Sequence, residues 1–290
     1  MIIKSLYHGT RENPIKFPLH PMGTIVPMNK QLEINRSRAA HKRFLVRPDL
    51  RVGELGRKFS TDFGQGVYLT DNREFAHLHA CAKGAPGYVY QFDLDLDGLN
   101  VYRFAHTNLQ WLLYVAFNRG SFARTMAPEL HDDINKFKAD YDVIIGPTAN
   151  DRYYNFLQYF LSYRTDFILR MGHQTILGIL SKTQLPTQYT LLTPKACSQA
   201  RKIFEKKITD AEFEEYNQKA DKRQQMNIEE SNRVFDAMQQ TNVGYNLEGL
   251  VAYLETQKIR FSAIPEQIDY DPQVDRQMHS SKEAMFDERQ

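Results

Sequence analysis

Four side chains stand where this chain could do chemistry: His8, Tyr68, Asp151 and Gln188. His8 directly follows the apolar-rich run Ile2–Tyr7, and a neutral imidazole donates at one ring nitrogen while accepting at the other. Tyr68 follows Gly64-Gln65-Gly66, where two glycines permit a tight turn or the close approach of backbone to a ligand, and it offers a flat aromatic face. Asp151 is a carboxylate just beyond the nearly all-apolar run Asp142-Val143-Ile144-Ile145-Gly146, and functional groups tend to collect at strand ends. Gln188 can donate and accept hydrogen bonds but carries no charge and cannot act as a base. Taken singly, each also has a structural role open to it: a satisfied histidine, a core tyrosine, a helix N-cap and a polar strand residue.

The elements that would position these groups follow from apolar pattern and breakers. Ile2–Tyr7 reads as a short strand, and Pro14, Pro18, Pro21 and Pro27 make the next segment loop. Val67–Thr70 is a second strand, followed by a helix whose N-cap is Asp71 or Asn72. Strands are expected at Tyr88–Leu94, Asp142–Gly146 and Tyr189–Leu192. Helices are expected at Leu109–Phe117, at the aromatic-rich Tyr153–Arg170, at Pro194–Ile208 and at Ala211–Gln240. The mixture is an α+β pattern.

Composition narrows the class. The chain has 290 residues, 42% hydrophobic and 25% charged, enough for one sizeable core with an appendage. No apolar run reaches the roughly 18 to 20 residues of a spanning helix, so no membrane partner is expected. Cys81 and Cys197 lie far apart without metal-ligand spacing, which points to a reducing compartment and a cytoplasmic protein. His77 and His79 are two residues apart, poor spacing for joint metal ligation on a helix, and no metal is expected. Between Lys30 and Lys58 nine Lys or Arg face three acids, a segment that could track phosphates of a dinucleotide or a nucleic acid, or form a solvated surface. From Glu266 to Gln290 the balance reverses, with seven acids against three bases.

Three runs in fixed order carry a resemblance: Leu6-Tyr7-His8-Gly9-Thr10, Asp62-Phe63-Gly64-Gln65-Gly66-Val67-Tyr68-Leu69-Thr70, and Pro186-Thr187-Gln188-Tyr189-Thr190-Leu191-Leu192-Thr193. Together they resemble the NAD-binding core of ADP-ribosyltransferases. With Tyr141–Gly146, Asn150-Asp151 and the Thr193-Pro194-Lys195-Ala196 exit, they resemble more narrowly a bacterial family catalogued as a domain of unknown function. The resemblance implies a split β-sheet core with flanking helices over residues 1–200, with the basic stretch at about 28–58 as an insertion. A helical extension over 201–265 and a disordered tail over 266–290 complete the expected layout.

The resemblance also implies roles. His8 would hydrogen-bond the adenosine ribose of NAD, the Gly9 backbone would approach the carboxamide, Thr10 would join the cofactor-binding set, and Tyr68 would stack on nicotinamide. Gln188 falls where many members place a Glu at the nicotinamide ribose. The neutral amide weakens the expectation of NAD hydrolysis or polymer elongation, and Asp151 becomes the candidate for the missing carboxylate. The implied activity is NAD-dependent mono-ADP-ribosylation of a macromolecular acceptor, nucleic acid slightly ahead of protein. By analogy, a growth-inhibiting toxin or phage-defence effector with a neutralising antitoxin is implied. The alternatives are a catalytically silent NAD- or partner-binding module and an NAD glycohydrolase.

Overall fold

A computed structural model describes residues 3–10, 61–81, 85–122, 124–149, 157–161, 171–181, 185–241 and 243–273. In chain order the elements are β1 (Ile3–Thr10), β2 (Val67–Thr70), α1 (Arg73–Cys81), β3 (Tyr88–Asp95), β4 (Val101–Arg103), α2 (Leu109–Asn118), α3 (Pro128–Ala139) and β5 (Val143–Pro147). They continue with α4 (Leu157–Leu161), α5 (His173–Leu180), β6 (Thr187–Leu191), α6 (Pro194–Ser198), β7 (Ala200–Lys207), α7 (Asp210–Thr241), α8 (Leu247–Thr256) and a 3-10 turn at Phe261–Ala263. The chain divides into two compact units. One comprises Met1–Tyr102, Tyr141–Ile145 and Pro186–Asn217, the other Arg103–Asp140, Gly146–Leu185 and Gln218–Gln290.

The strands form one sheet in the order β4-β5-β6-β2-β1-β3-β7. This is the expected α+β class. β1 is joined to β3 along its whole length, from Ile3 opposite Asp95 to Thr10 opposite Tyr88. Its other neighbour, β2, meets it at a single register pair, Tyr7 opposite Thr70. β2 is in turn fully paired with β6, Val67 opposite Leu191 through Thr70 opposite Gln188. The β1–β2 junction is therefore much less paired than the β1–β3 and β2–β6 junctions on either side of it.

Alternation along the strands sorts the side chains onto two faces. Leu6, Val67, Leu69, Tyr90, Phe92, Val143, Ile145, Tyr189 and Leu191 pack on one face with Ala196 and Cys197 of α6. On the other, α1 lays Ala76, Ala80 and Cys81 against Val89, with Tyr7 and Ile208 beside them. Gly9 makes that contact possible: a Cβ there would lie 1.8 Å from the Ala76 carbonyl oxygen and 2.9 Å from the Ala80 amide nitrogen. Asn72 starts α1 as expected, its Oδ1 accepting from the Phe75 amide at 2.8 Å. At the far end of β6, the Thr193 hydroxyl donates to Asp142 Oδ1 at 2.6 Å and the Asn100 amide to Oδ2 at 3.0 Å. Burial opposes the Asp142 charge, but these bonds and Lys195 outweigh it and lower the carboxyl pKa.

The helix expected over Pro194–Ile208 is corrected. Thr193 and Pro194 do start a helix, with Thr193 Oγ1 accepting from the Ala196 amide, but it ends at Ser198. Ala200–Lys207 is instead a strand, paired antiparallel with β3 across a bulge at Gln91/Phe92. Residues 201–207, expected to open the helical extension, thus complete the sheet. The long helix follows at Asp210–Thr241, close to the expected Ala211–Gln240.

The second unit carries α2, α3, α4, α5, α8 and most of α7. Trp111, the chain's one tryptophan, is fully buried on α2 and donates its indole N–H to the Pro147 carbonyl at 3.0 Å. Glu255 of α8 caps α3, its two carboxylate oxygens accepting from the Glu129 and Leu130 amides at 2.9 and 3.1 Å. The acidic segment from Glu266, expected as a tail, begins docked: Ile268 is buried, and its carbonyl accepts from Gln174 Nε2 at 3.0 Å. Of the helix expected over Tyr153–Arg170, only Leu157–Leu161 is among the described residues. Asp151, the basic run Lys30–Lys58 and residues 274–290 lie outside them.

Candidate functional site

Three of the residues singled out in the sequence come from strands adjacent in space, in the order β6, β2, β1. On β2 and β6, Tyr68 is opposite Thr190 and Thr70 opposite Gln188, so four polar or phenolic side chains form one patch on one face. Thr70 holds the patch at its edge, donating to the Thr187 carbonyl at 2.8 Å and accepting from the Asn72 amide at 3.1 Å.

Gln188 is buried, and its amide nitrogen has no hydrogen-bond partner among the described residues. An unsatisfied buried donor costs about 1–3 kcal/mol. Thr190 Oγ1, equally buried, faces the Tyr68 hydroxyl without a hydrogen bond of normal geometry. Tyr68 is half-buried, and its hydroxyl is committed locally. It donates to the Gly64 carbonyl at 2.6 Å and accepts from the Phe63 amide at 2.9 Å. Gly64 adopts φ 89°, the left-handed conformation glycine tolerates, and the Thr61 hydroxyl donates to its carbonyl at 2.6 Å. The Gly64-Gln65-Gly66 turn is therefore anchored by the Tyr68 hydroxyl. Burial raises the Tyr68 pKa far above the ordinary phenol value, so the hydroxyl stays protonated.

His8 reaches across the sparsely paired β1–β2 junction. Its Nδ1–H donates to the Tyr68 carbonyl at 2.6 Å, in a region where the two strands share only one register pair. A carbonyl only accepts, so this bond fixes the tautomer: Nδ1 carries the proton and Nε2 presents its lone pair. Burial lowers the His8 pKa despite this bond, and the ring is neutral at pH 7. In register, His8 aligns with Tyr90 and so belongs to the face opposite the Tyr68 and Gln188 patch. The imidazole and the patch therefore lie on opposite faces of the sheet, linked through the Tyr68 backbone carbonyl.

Gly9 and Thr10 complete β1, opposite Val89 and Tyr88. The missing side chain at Gly9 is accounted for by α1 packing. Among the described residues no group of three or more His, Cys, Asp or Glu is arranged to hold a metal ion. No helix among them is long and apolar enough to cross a membrane. The charge-bearing candidate, Asp151, falls beyond Ala149, whose carbonyl accepts from the Arg119 guanidinium. Thr70 and Thr190 were not anticipated from sequence, because only the β2/β6 register reveals that they share a face with Tyr68 and Gln188.

A family model described as a protein of unknown function, DUF3990, matches residues 46–204, just over half of the chain. The chain belongs to the DUF3990 family. No curated protein and no solved structure matched it. The family match includes Tyr68, Asp151 and Gln188, while His8, Gly9 and Thr10 precede it. It agrees with the expected membership in a domain of unknown function and does not itself assign an activity.

Proposed function

We propose that this DUF3990 protein is an NAD-dependent mono-ADP-ribosyltransferase acting on a macromolecule. The observation that supports this best is the unpartnered, buried amide of Gln188, on the strand beside Tyr68 and one strand further from His8. An orphaned donor fits a ligand that brings an acceptor oxygen, and the nicotinamide ribose hydroxyl of NAD supplies one. In this reading His8 Nε2 accepts from an adenosine ribose hydroxyl, the Tyr68 ring stacks on nicotinamide, and Gly9 and Thr10 lie along the carboxamide. The bond between ribose C1′ and the nicotinamide nitrogen breaks, its electron pair leaving with neutral nicotinamide. The acceptor nucleophile takes the ribosyl carbon and loses a proton.

Neither Gln188 nor neutral His8 supplies a negative charge to the developing oxocarbenium ion, and Gln188 cannot remove the proton. Asp151 is the proposed carboxylate. Asp151→Asn is expected to cut transfer by about a hundredfold to ten-thousandfold while NAD binding holds. Activity within a few-fold of wild type reduces Asp151 to a structural residue.

The acceptor is taken to be nucleic acid rather than protein on the strength of the Lys30–Lys58 basic run, and the setting a cytoplasmic growth-inhibiting or phage-defence locus with a neutralising partner. Cell extract incubated with the protein and labelled NAD tests the proposal. Label that is removed by nuclease supports a nucleic-acid acceptor, and label removed only by protease moves the assignment to protein. NAD loss without labelled macromolecule identifies a glycohydrolase. The uncharged site also favours a second reading, an NAD-binding module without catalysis. Binding without nicotinamide release would establish it.

A further inference from the structure

The second unit holds a cavity of about 450 Å³, lined in part by His173, Gln174 and Leu177 of α5, by Glu266 and Ile268 of the strap that follows the 3-10 turn, and by His106. His173 is 1% exposed. Its Nδ1 lies 3.3 Å from the Tyr245 carbonyl oxygen and its Nε2 3.3 Å from that of Ile268. The Tyr245 ring stacks on the imidazole at 5.9 Å with an interplanar angle of 8°. Gly244 packs so closely that a Cβ there would lie 2.8 Å from Nδ1. The ring is thus boxed in while the strap is docked.

A neutral imidazole has one N–H for the two carbonyls, each of which already accepts a closer bond: Tyr245 from the His173 backbone amide at 2.8 Å and Ile268 from Gln174 Nε2 at 3.0 Å. An imidazolium can donate to both, yet it must remain buried with only neutral acceptors. Among the described residues no carboxylate bonds the ring. The titratable groups on the elements around it are Tyr245 in the turn ahead of α8, Glu266, Asp269, Tyr270 and Asp271 on the strap, and His106 ahead of α2. Glu266, Asp269, Asp271 and His106 are exposed. Two bonds of this length to neutral carbonyls compensate poorly for burying a charge.

We propose that His173 is an acid-released latch, which holds the strap over the cavity when neutral and favours the strap's release when protonated. Burial lowers the His173 pKa, outweighing the two carbonyls, which raise it. The released state, with a solvated ring, therefore binds more protons than the docked one, and acidification drives release. The effect sets in as pH falls through the ordinary histidine value of about 6.5 and ends at the lowered docked value. The exposed His106 and Glu266, both lining the cavity, stand 4.0 Å apart.

Hydrogen exchange of the full chain at pH 7 and pH 5, corrected for intrinsic rates, tests the latch. Peptides covering residues 266–273 are expected to exchange faster at pH 5, by up to about tenfold per pH unit, while Leu109–Phe117 keeps its protection. His173→Gln is expected to flatten the dependence and His106→Gln to preserve it. Unchanged or slower exchange of 266–273 in acid overturns the proposal. So does an equal loss of protection over Leu109–Phe117, or an undiminished rise in His173→Gln.

Discussion

Tyr68→Ala is expected to abolish ADP-ribosyl transfer and to weaken NAD binding by the value of one aromatic stack, about 1–3 kcal/mol, or roughly fivefold to 150-fold in Kd. His8→Ala should also end transfer, with a smaller loss in affinity that corresponds to one hydrogen bond, about 0.5–1.5 kcal/mol. Tyr68→Phe separates the two jobs of the tyrosine. The ring remains, while the bonds to Gly64 and Phe63 are lost, so NAD affinity should be largely kept and the 61–66 turn loosened. Calorimetric titration with NAD and measurement of nicotinamide release check all three variants. Undiminished transfer by both alanine variants would remove the ground for an ADP-ribosyltransferase assignment.

A single added methyl group at Gly9 is expected to be among the most damaging changes to the fold. Its carbon would sit 1.8 Å from a backbone carbonyl oxygen and 2.8 Å from that carbonyl's carbon, both at Ala76. Those atoms belong to a helix and cannot swing aside as a side-chain tip would, so α1 must withdraw from the sheet. Overpacking of this kind costs typically about 1–3 kcal/mol and at times more. Gly178→Ala is the matched control, because nothing lies within 4 Å of the added atom in the middle of α5. It should be stabilising, by up to about 1 kcal/mol from helix propensity. Denaturant midpoints for the two variants are expected to move in opposite directions, and a Gly9→Ala midpoint equal to wild type would contradict the α1 packing.

Much of the sheet was legible because its strands are short apolar runs set off by glycine, proline or acidic turns. β2, β3 and β5 fall within a residue or two of the expected bounds, and β1 extends through His8 to Thr10, past the expected end at Tyr7. β7 was not legible. Five consecutive residues from Arg201 to Glu205 are exposed, so no alternation marks a buried face, and its lysines and glutamate are good helix formers. Pairing with β3, more than a hundred residues away, overrides that local preference. α3 has a signal in the sequence as well: Pro128 in the first turn, then Leu130, Ile134 and Phe137 at helical spacing.

The site divides the same way. His8, Tyr68 and Gln188 could be picked out by type and order, and they do lie on neighbouring strands. That His8 looks onto the opposite face, and that the Gln188 amide lacks a partner, are matters of register and surroundings that a one-dimensional pattern does not contain.

The solitary indole on α2 gives the protein a built-in optical probe. Trp111 is shielded from water and hydrogen-bonded to Pro147, so its emission should be blue-shifted in the native state and move to the red when the unit around it opens. Gly9, by contrast, belongs to the unit that contains β1. Fluorescence follows the unit around Trp111, whereas far-ultraviolet dichroism recorded on the same sample follows the secondary structure of both units. A Gly9 variant whose dichroism melts ahead of its fluorescence would reveal two cooperative transitions, and superimposed curves would reveal one.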